Sequence, residues 1–238
     1  MYKNKKIFCI VTARKGSKGI KHKNLKKIGK IPLFLHPMIN ARKSKYIDEI
    51  YLNTDSDKMI KIATKNKLQY YKRPKKLSGD KAKSVDVLLD QIKVMKLKDN
   101  FDYILLLEPT SPLTNNIDID TSIKKVINNH NYTSLLPVTK GTLPNSNFKF
   151  EIKKKKLYKQ FSEKQILQRR QQFKEFYFLC GALYISKISS LIKEKSFLQK
   201  KTTYQVFNKA KSIEIDYVDD FKIVKALYKY LNENEKIR

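Results

Sequence analysis

Apolar runs of strand length alternate with segments of helical periodicity along most of the chain. Residues 7–12 are almost all apolar, which is typical of a strand buried on both faces, and residues 103–107 show this pattern most strongly. The same pattern predicts further strands at 49–53, 68–71 and 134–138, and helices at 31–43, 58–67, 85–95 and 117–129. This alternation predicts an α/β fold with a doubly wound, mostly parallel sheet.

The pattern changes between about residues 140 and 177. A hairpin is predicted at 147–158, and the sheet is predicted to resume at 181–185. A late strand at 213–216 and an amphipathic helix at 218–230 follow. We therefore expect a single domain over residues 1–238 with a small lobe inserted at 140–177.

Composition excludes several classes of protein. The 238 residues are 41% hydrophobic and include 14 Tyr and 12 Phe, so a packed core is expected rather than disorder. No apolar run approaches the roughly 18–20 residues that span a membrane, and the first apolar run is too short for a signal peptide. Cys9 and Cys180 are too few for a disulfide framework, so the cytoplasm is the expected compartment.

The formal net charge of +30 admits two interpretations. A nucleic-acid-binding protein is one of them. The other is a biased, lysine-rich composition combined with a small anionic substrate. Only six of the 52 basic residues are Arg, the residue that makes bidentate contacts to bases, so we favour the second and expect no specific nucleic acid and no membrane as partner.

A basic loop, residues 13–24, follows the first predicted strand directly. Its two glycines permit close backbone approach, and backbone N–H groups beside Arg14, Lys18 and Lys23 are suited to a triphosphate. The spacing matches neither a P-loop nor a dinucleotide-binding fingerprint. An ordinary basic surface loop is the alternative interpretation.

Two carboxylates lie on the late predicted strand. Glu214 and Asp216 are two residues apart, so on a strand both side chains point to the same side. They are candidates for sharing one hard cation such as Mg²⁺. A solvated strand edge is the alternative.

Six segments, taken in order over nearly the whole chain, resemble the signatures of the CMP-sialic acid synthetases, also called acylneuraminate cytidylyltransferases. The family includes enzymes that act on legionaminic acid and related nonulosonic acids. The similar segments are 13–24, 53–56, 73–87, 107–113, 170–172 with 181–185, and 214–216 with 220–221.

The resemblance implies a Rossmann-like nucleotidyltransferase that transfers CMP from CTP to the anomeric hydroxyl of a nonulosonic acid (N-acetylneuraminate, legionaminate or similar) and releases pyrophosphate. It also implies Mg²⁺ as cofactor, and a homodimer formed through the inserted lobe. A cytidylyltransferase for another 2-keto-3-deoxy acid, such as Kdo, is the alternative within the same class.

The resemblance assigns roles to matching positions only. Nucleotide binding falls to Arg14, Gly16, Ser17, Lys18, Lys23, Asn24, Arg73 and Ser84, and catalysis to Arg14, Lys23 and Asp216. Sugar binding falls to Glu108, Thr110, Ser111, Arg170 and Gln171, and metal binding to Asp216 with Glu214.

Several single residues also have ordinary structural interpretations. Asp55 is expected to cap the helix that follows the second strand. Cys180 is expected to be a small buried apolar residue rather than a nucleophile, and Tyr184 a core residue. Glu108 stands where many sialic acid enzymes have Gln, which bears on the identity of the sugar.

Overall fold

A mixed sheet forms the centre of the part of the chain that the computed structural model describes, residues 1–141, 150–153, 156–159 and 175–235. Its eight strands are β1 (Ile7–Thr12), β4 (Glu49–Thr54), β5 (Gln69–Lys72), β6 (Tyr103–Leu107), β7 (Ser134–Lys140), β10 (Tyr177–Leu179), β11 (Leu183–Lys187) and β12 (Thr202–Phe207). The spatial order is β10-β7-β11-β6-β1-β4-β5, and β12 pairs with β7. β10 and β11 run antiparallel to their neighbours, whereas the other pairings are parallel.

Helices cover both faces of this sheet. They are α1 (Leu35–Arg42), α2 (Asp57–Lys65), α3 (Ser84–Val94), α4 (Leu97–Asn100), α5 (Asn116–Asn128), α6 (Ile188–Glu194) and α7 (Val218–Glu235). Two short ladders lie outside the sheet: β2 (Lys27–Ile28) pairs with β3 (Ile31–Pro32), and β8 (Phe150–Lys153) pairs with β9 (Lys156–Lys159).

The alternation of side chains along β1 divides the interior into two cores. Ile7, Cys9 and Val11 pack in the core that contains buried residues of α1, α2 and α5. Phe8 and Ile10 pack in the other core, with buried residues of α3, α4 and α6. Because both faces of the strand are buried, its sequence is a continuous apolar run rather than an alternating one.

A third, smaller apolar cluster determines where the late part of the chain lies. Ile20 of the basic loop, Leu113 and Ile215 are buried together in it, with Val224 of α7. The cluster therefore packs the loop after β1, the segment after β6 and the segment before α7 against one another. These three segments carry most of the predicted site residues, whereas Arg73 and Ser84 follow β5.

Most of the predicted elements are confirmed within one or two residues, but two predictions are wrong. The helix predicted at 31–43 begins only at Leu35, because β2 and β3 form a hairpin around Gly29, whose φ is +60°. Residues 213–216 do not form a strand: the Ile215 N–H donates to the Thr110 carbonyl oxygen (2.9 Å) without a continuing ladder. The elements that were not predicted are β2, β3, β10, β12, α4 and α6.

The inserted lobe is described only in part. β8 and β9 form the hairpin predicted at 147–158, whereas most of residues 140–177 lie outside the described ranges. The single-domain boundaries and the role of the lobe thus stay predictions. Among the described residues, no helix combines the length and the apolar character that crossing a membrane requires.

Candidate active site

A cleft of about 560 Å³ opens where β1 and β6 end. β4 follows β1 on one side and β6 lies on its other side, so this is a switch point in strand order, where open α/β sheets bind ligands. The predicted residues that line the cleft are Arg14, Gly16, Ser17, Lys18, Lys23, Asn24, Arg73, Ser84, Glu108, Thr110 and Asp216. Residues distant in sequence therefore meet in one place.

Internal hydrogen bonds fix the shape of the basic loop. The Ser17 hydroxyl donates to a loop carbonyl oxygen and accepts from the Lys23 backbone N–H (3.1 Å). The Asn24 side-chain amide donates to the Arg14 carbonyl oxygen (3.0 Å). Ser17 and Asn24, both predicted to bind nucleotide, thus also maintain the loop conformation that holds Arg14 and Lys23 at the cleft.

Asp55, the residue after β4, binds the backbone of this loop. Its carboxylate accepts from the Lys15 backbone N–H at 2.6 Å. The prediction that Asp55 caps the next helix is wrong, because the N-cap of α2 is Ser56, whose hydroxyl accepts from the Met59 N–H. The end of β4 is therefore joined to the loop after β1.

The two glycines of the loop have different surroundings. A Cβ atom on Gly16 would meet no atom within 4 Å. A Cβ atom on Gly19 would collide with the carbonyl oxygen of Asp216. Gly19 is therefore required for close approach of the loop to the segment that carries Asp216, a role that the sequence alone did not assign.

Lys23 and Asp216 form the closest opposite-charge pair across this contact. The Lys23 ammonium group, only 13% exposed, donates to the Ile215 carbonyl oxygen (2.6 Å) and to the Asp216 carboxylate (3.1 Å). The Asp216 carboxylate is 63% exposed and faces the cleft. Asp220 accepts from the backbone N–H groups of Asp216 (3.0 Å) and Tyr217 (2.7 Å) at the start of α7, which fixes the backbone beneath this pair.

Glu214 is not among the residues that line the cleft. Its carboxylate accepts from the Gly181 N–H at 2.6 Å, and a Cβ atom on Gly181 would collide with that carboxylate. Burial raises the pKa of Glu214. Because the predicted strand is absent, the argument that Glu214 and Asp216 share one side of it does not hold, and shared metal binding stays a prediction.

Arg73 is a buried cation on the opposite wall. Its guanidinium group donates to the Asn53 side chain (2.6 Å) and to the Asn53 carbonyl oxygen (3.1 Å). Asn53 in turn donates to Gln91 of α3 at 2.8 Å. This buried network fixes the direction of the guanidinium group. The N–H donors of Arg73 that Asn53 does not engage are therefore the ones available to a ligand in the cleft.

Glu108 lies at the end of the central strand β6. Burial, with the nearby Glu214 carboxylate, raises the pKa of Glu108 to about 7, although Arg73 and Lys23 oppose the shift and Asp216 adds to it. Its carboxyl group is therefore partly protonated at neutral pH. In that state it both donates and accepts hydrogen bonds.

The other residues singled out in the sequence lie outside the cleft lining or outside the described residues. Ser111 is buried and is not among the residues that line the cleft, and its hydroxyl has no hydrogen-bond partner among the described residues. Cys180 is buried as predicted, and burial raises the pKa of its thiol to about 11. Tyr184 packs against the core that contains Phe8, as predicted. Arg170 and Gln171 lie outside the described residues.

Asp80 and Tyr217 line the cleft but were not predicted as site residues from the sequence. Asp80 forms ion pairs with Arg14 and, at 3.3 Å, with Lys18; hydrogen bonding from Arg14 is the main cause of the lowered pKa of this carboxyl group. Tyr217, 70% exposed, lines the cleft beside Asp216. Asp80 lies within the segment 73–87, whose resemblance to a family motif could have indicated a site residue. No feature of the sequence indicated Tyr217.

Comparison with known proteins identifies the family. A family model described as cytidylyltransferase matches residues 8–237. The chain belongs to the cytidylyltransferase family. It is therefore a nucleotidyltransferase enzyme, and its mostly parallel sheet is the Rossmann-like fold that the resemblance implied.

Two curated relatives match this cytidylyltransferase over almost its whole length. Post-translational flagellin modification protein B of Campylobacter coli is 30% identical over 233 residues, 97% of this chain and 98% of that protein. CMP-N,N'-diacetyllegionaminic acid synthase of Campylobacter jejuni is 30% identical over 233 residues, with the same coverage. The solved structure of CMP:2-keto-3-deoxy-manno-octonic acid synthetase complexed with CTP has the same fold, with a TM-score of 0.71 over 94% of this chain and 99% of that chain at 14% identity.

Replacing Gly19 should cost this cytidylyltransferase far more stability than replacing Gly16. In Gly19→Ala the new methyl group collides with the Asp216 carbonyl oxygen, so we expect a loss of about 1–3 kcal/mol in the free energy of unfolding. In the matched control Gly16→Ala the methyl group points into open space, and we expect a change within about 0.5 kcal/mol. Urea denaturation measures both, and equal values for the two variants would contradict the assigned contact.

The raised pKa of Glu108 predicts a stability difference that depends on pH. The folded pKa of about 7 lies above the ordinary 4.5, so the folded state holds the proton more tightly and loses stability as pH rises between these values. Glu108→Gln lacks this ionisation. We expect its free energy of unfolding, relative to wild type, to increase by roughly 2–3 kcal/mol between pH 4.5 and 7.5. A difference that does not change with pH would contradict the raised pKa.

Proposed function

We propose that this cytidylyltransferase transfers CMP from CTP to the anomeric hydroxyl of a nonulosonic acid and releases pyrophosphate. The observation that carries the proposal is the Lys23–Asp216 pair in a cleft whose other cations are Arg14, Lys18 and Arg73. A cationic cleft suits the nucleoside triphosphate, and a single carboxylate opposite it suits a phosphate-bound divalent cation. The substrate named for the legionaminic acid relative supports the sugar class.

From the arrangement of charges and the family resemblance we propose which part of the cleft binds each part of CTP. Among the cations that the loop after β1 contributes to the cleft, Arg14 and Lys18 are the more exposed, and we place the β- and γ-phosphates beside them. Lys23 is more deeply buried, beside Asp216, and takes the α-phosphate. Arg73 and Ser84 line the other end, where the resemblance places the cytidine.

Catalysis on this arrangement is mainly positioning and charge stabilisation. In-line attack by the sugar hydroxyl on the α-phosphorus builds negative charge on the phosphoryl oxygens, and the Lys23 ammonium group lies where that charge develops. The hydrogen bond from Lys23 to the Ile215 carbonyl oxygen restricts the ammonium group to this position before CTP binds. Glu108 and Thr110 line the same cleft, and we place the sugar beside them.

Mg²⁺ fits the oxygen ligands on this wall. Asp216 presents an exposed carboxylate, and Glu214 is half-buried with one oxygen bound to the Gly181 N–H. No cluster of three or more metal-ligating side chains occurs among the described residues, so substrate phosphates would complete the coordination. When bound, Mg²⁺ would neutralise phosphate charge, with Asp216 as its principal protein ligand and Glu214 as a second.

A second copy of the chain is proposed to cover the β10 edge. Tyr177, Phe178 and Leu179 are all exposed, by 48%, 46% and 58%, although a strand normally buries one face. β10 follows the inserted lobe that the resemblance assigns to dimerisation.

The cytoplasm is the proposed compartment, because CTP is found there and both cysteines are free thiols. Recovery of the chain outside the cytoplasmic fraction would contradict this proposal.

The proposed reaction predicts pyrophosphate release from CTP and Mg²⁺ with one class of sugar acid. We expect turnover with legionaminate, N-acetylneuraminate or pseudaminate, each offered separately, and none with Kdo. Asp216→Ala should abolish turnover, whereas Glu214→Ala should reduce it less, because only Asp216 faces the cleft. Turnover with Kdo alone would contradict the proposed sugar class. Near-wild-type rates in both variants would contradict the proposed metal site.

The β10 proposal predicts a dimer that a single charge disrupts. Light scattering of wild type should give twice the chain mass, and Phe178→Asp should shift it to the monomer. The matched control is Ile117→Asp, because Ile117 is also exposed (66%) but lies on α5. A monomeric wild type, or equal dissociation of both variants, would contradict the interface.

A further inference from the structure

The Asp80 carboxylate is an internal anion bound to part of the cationic cleft. One oxygen pairs with the Arg14 guanidinium group, and the other lies 3.3 Å from the Lys18 ammonium group. Both cations belong to the loop after β1. These are the two cations to which the proposed function assigns the β- and γ-phosphates, and the inference below rests on that function.

A carboxylate and a phosphate group compete for the same N–H donors. Charge-assisted hydrogen bonds from Arg and Lys form with either anion, and a fully engaged donor cannot serve both at full strength. Asp80 makes no contact with Lys23, whose ammonium group is held by Asp216 and the Ile215 carbonyl oxygen. The competition therefore concerns the half of CTP that leaves as pyrophosphate and not the half that stays as CMP.

The segment that carries Asp80 lies at the surface, outside the apolar cores. Residues 78–82 contain no buried side chain, and Gly79 has open space where a side chain would be. The Ala82 N–H donates to the Gly79 carbonyl oxygen (3.2 Å), and of these five described residues only Ser78, at the start of the segment, bonds to the preceding turn, through its N–H and its hydroxyl. Asp80 can thus leave its cations without exposing the core.

We propose that Asp80 competes with pyrophosphate for Arg14 and Lys18, which weakens CTP binding and speeds release of pyrophosphate after the transfer. Asp80 is 50% exposed, and its cations Lys18 and Arg14 are 76% and 31% exposed, so water screens both ion pairs and a triphosphate can displace the carboxylate. Once the bond to the α-phosphorus has broken, pyrophosphate has lost its attachment to the nucleotide. The carboxylate, still attached to the chain next to these cations, then rebinds them.

The test compares Asp80→Asn with wild type in the full chain, by titration calorimetry with CTP, pyrophosphate and CMP in the presence of Mg²⁺. We expect CTP and pyrophosphate to bind about three- to tenfold more tightly to the variant, with CMP unchanged, because exposed ion pairs contribute up to about fivefold each. In steady-state kinetics both KM for CTP and kcat should fall, since pyrophosphate leaves more slowly. An Asp80 that only stabilised the loop would weaken CTP binding instead.

Asp57→Asn is the matched control. Asp57 is an exposed partner in another ion pair, with Lys72 at 2.9 Å, and its replacement removes the same charge without freeing Arg14 or Lys18. Unchanged or weaker binding of pyrophosphate by Asp80→Asn, or equal tightening in the control, overturns the inference and leaves the proposed function intact. Failure of wild type to bind CTP at all overturns the proposed function, and the role of Asp80 falls with it.

Discussion

The close contact between two backbones is the constraint on which this active site depends. The carbonyl oxygen of Asp216 lies against Gly19 so closely that no side chain fits between them. Ile215, between the two acidic residues, is fully buried in the third apolar cluster, and its N–H and carbonyl groups bond to Thr110 and Lys23. Burial of one apolar side chain thus places an acidic group from the end of the chain beside a cationic loop from its beginning.

The charges in the cleft matter through their positions rather than their number. A net charge of +30 gives the whole surface a positive field, but only a few cations face the cleft, and acidic groups accompany them. Lys23 is paired with Asp216, Arg14 and Lys18 with Asp80, and Arg73 is bound to Asn53. Lys23 and Arg73 are therefore oriented before a ligand arrives, which reduces the reorganisation that binding requires. Arg14 and Lys18 differ, because on our proposal a ligand must first displace Asp80 from them.

The central sheet was predictable because its strands follow local patterns, whereas most of the cleft lining was predicted from the family resemblance. A strand buried on two faces must be apolar throughout, as β1 and β6 are, and a basic glycine-containing loop after such a strand indicates an anion site. The segment 213–216 was wrongly predicted as a strand because its alternating pattern reflects burial of Ile215 in a side cluster and not pairing in a sheet. Contacts such as Gly181 with Glu214, or Asp80 with Arg14, join residues far apart in sequence, and no spacing rule encodes them.

A crystal structure of the chain with Mg²⁺ and a non-hydrolysable CTP analogue tests this account most directly. The account predicts the triphosphate on residues 14–23, its α-phosphate beside Lys23 and Asp216, and the cytidine towards Arg73 and Ser84. A nucleotide bound outside this cleft, or bound in the reverse direction with its base on the loop after β1, would contradict it.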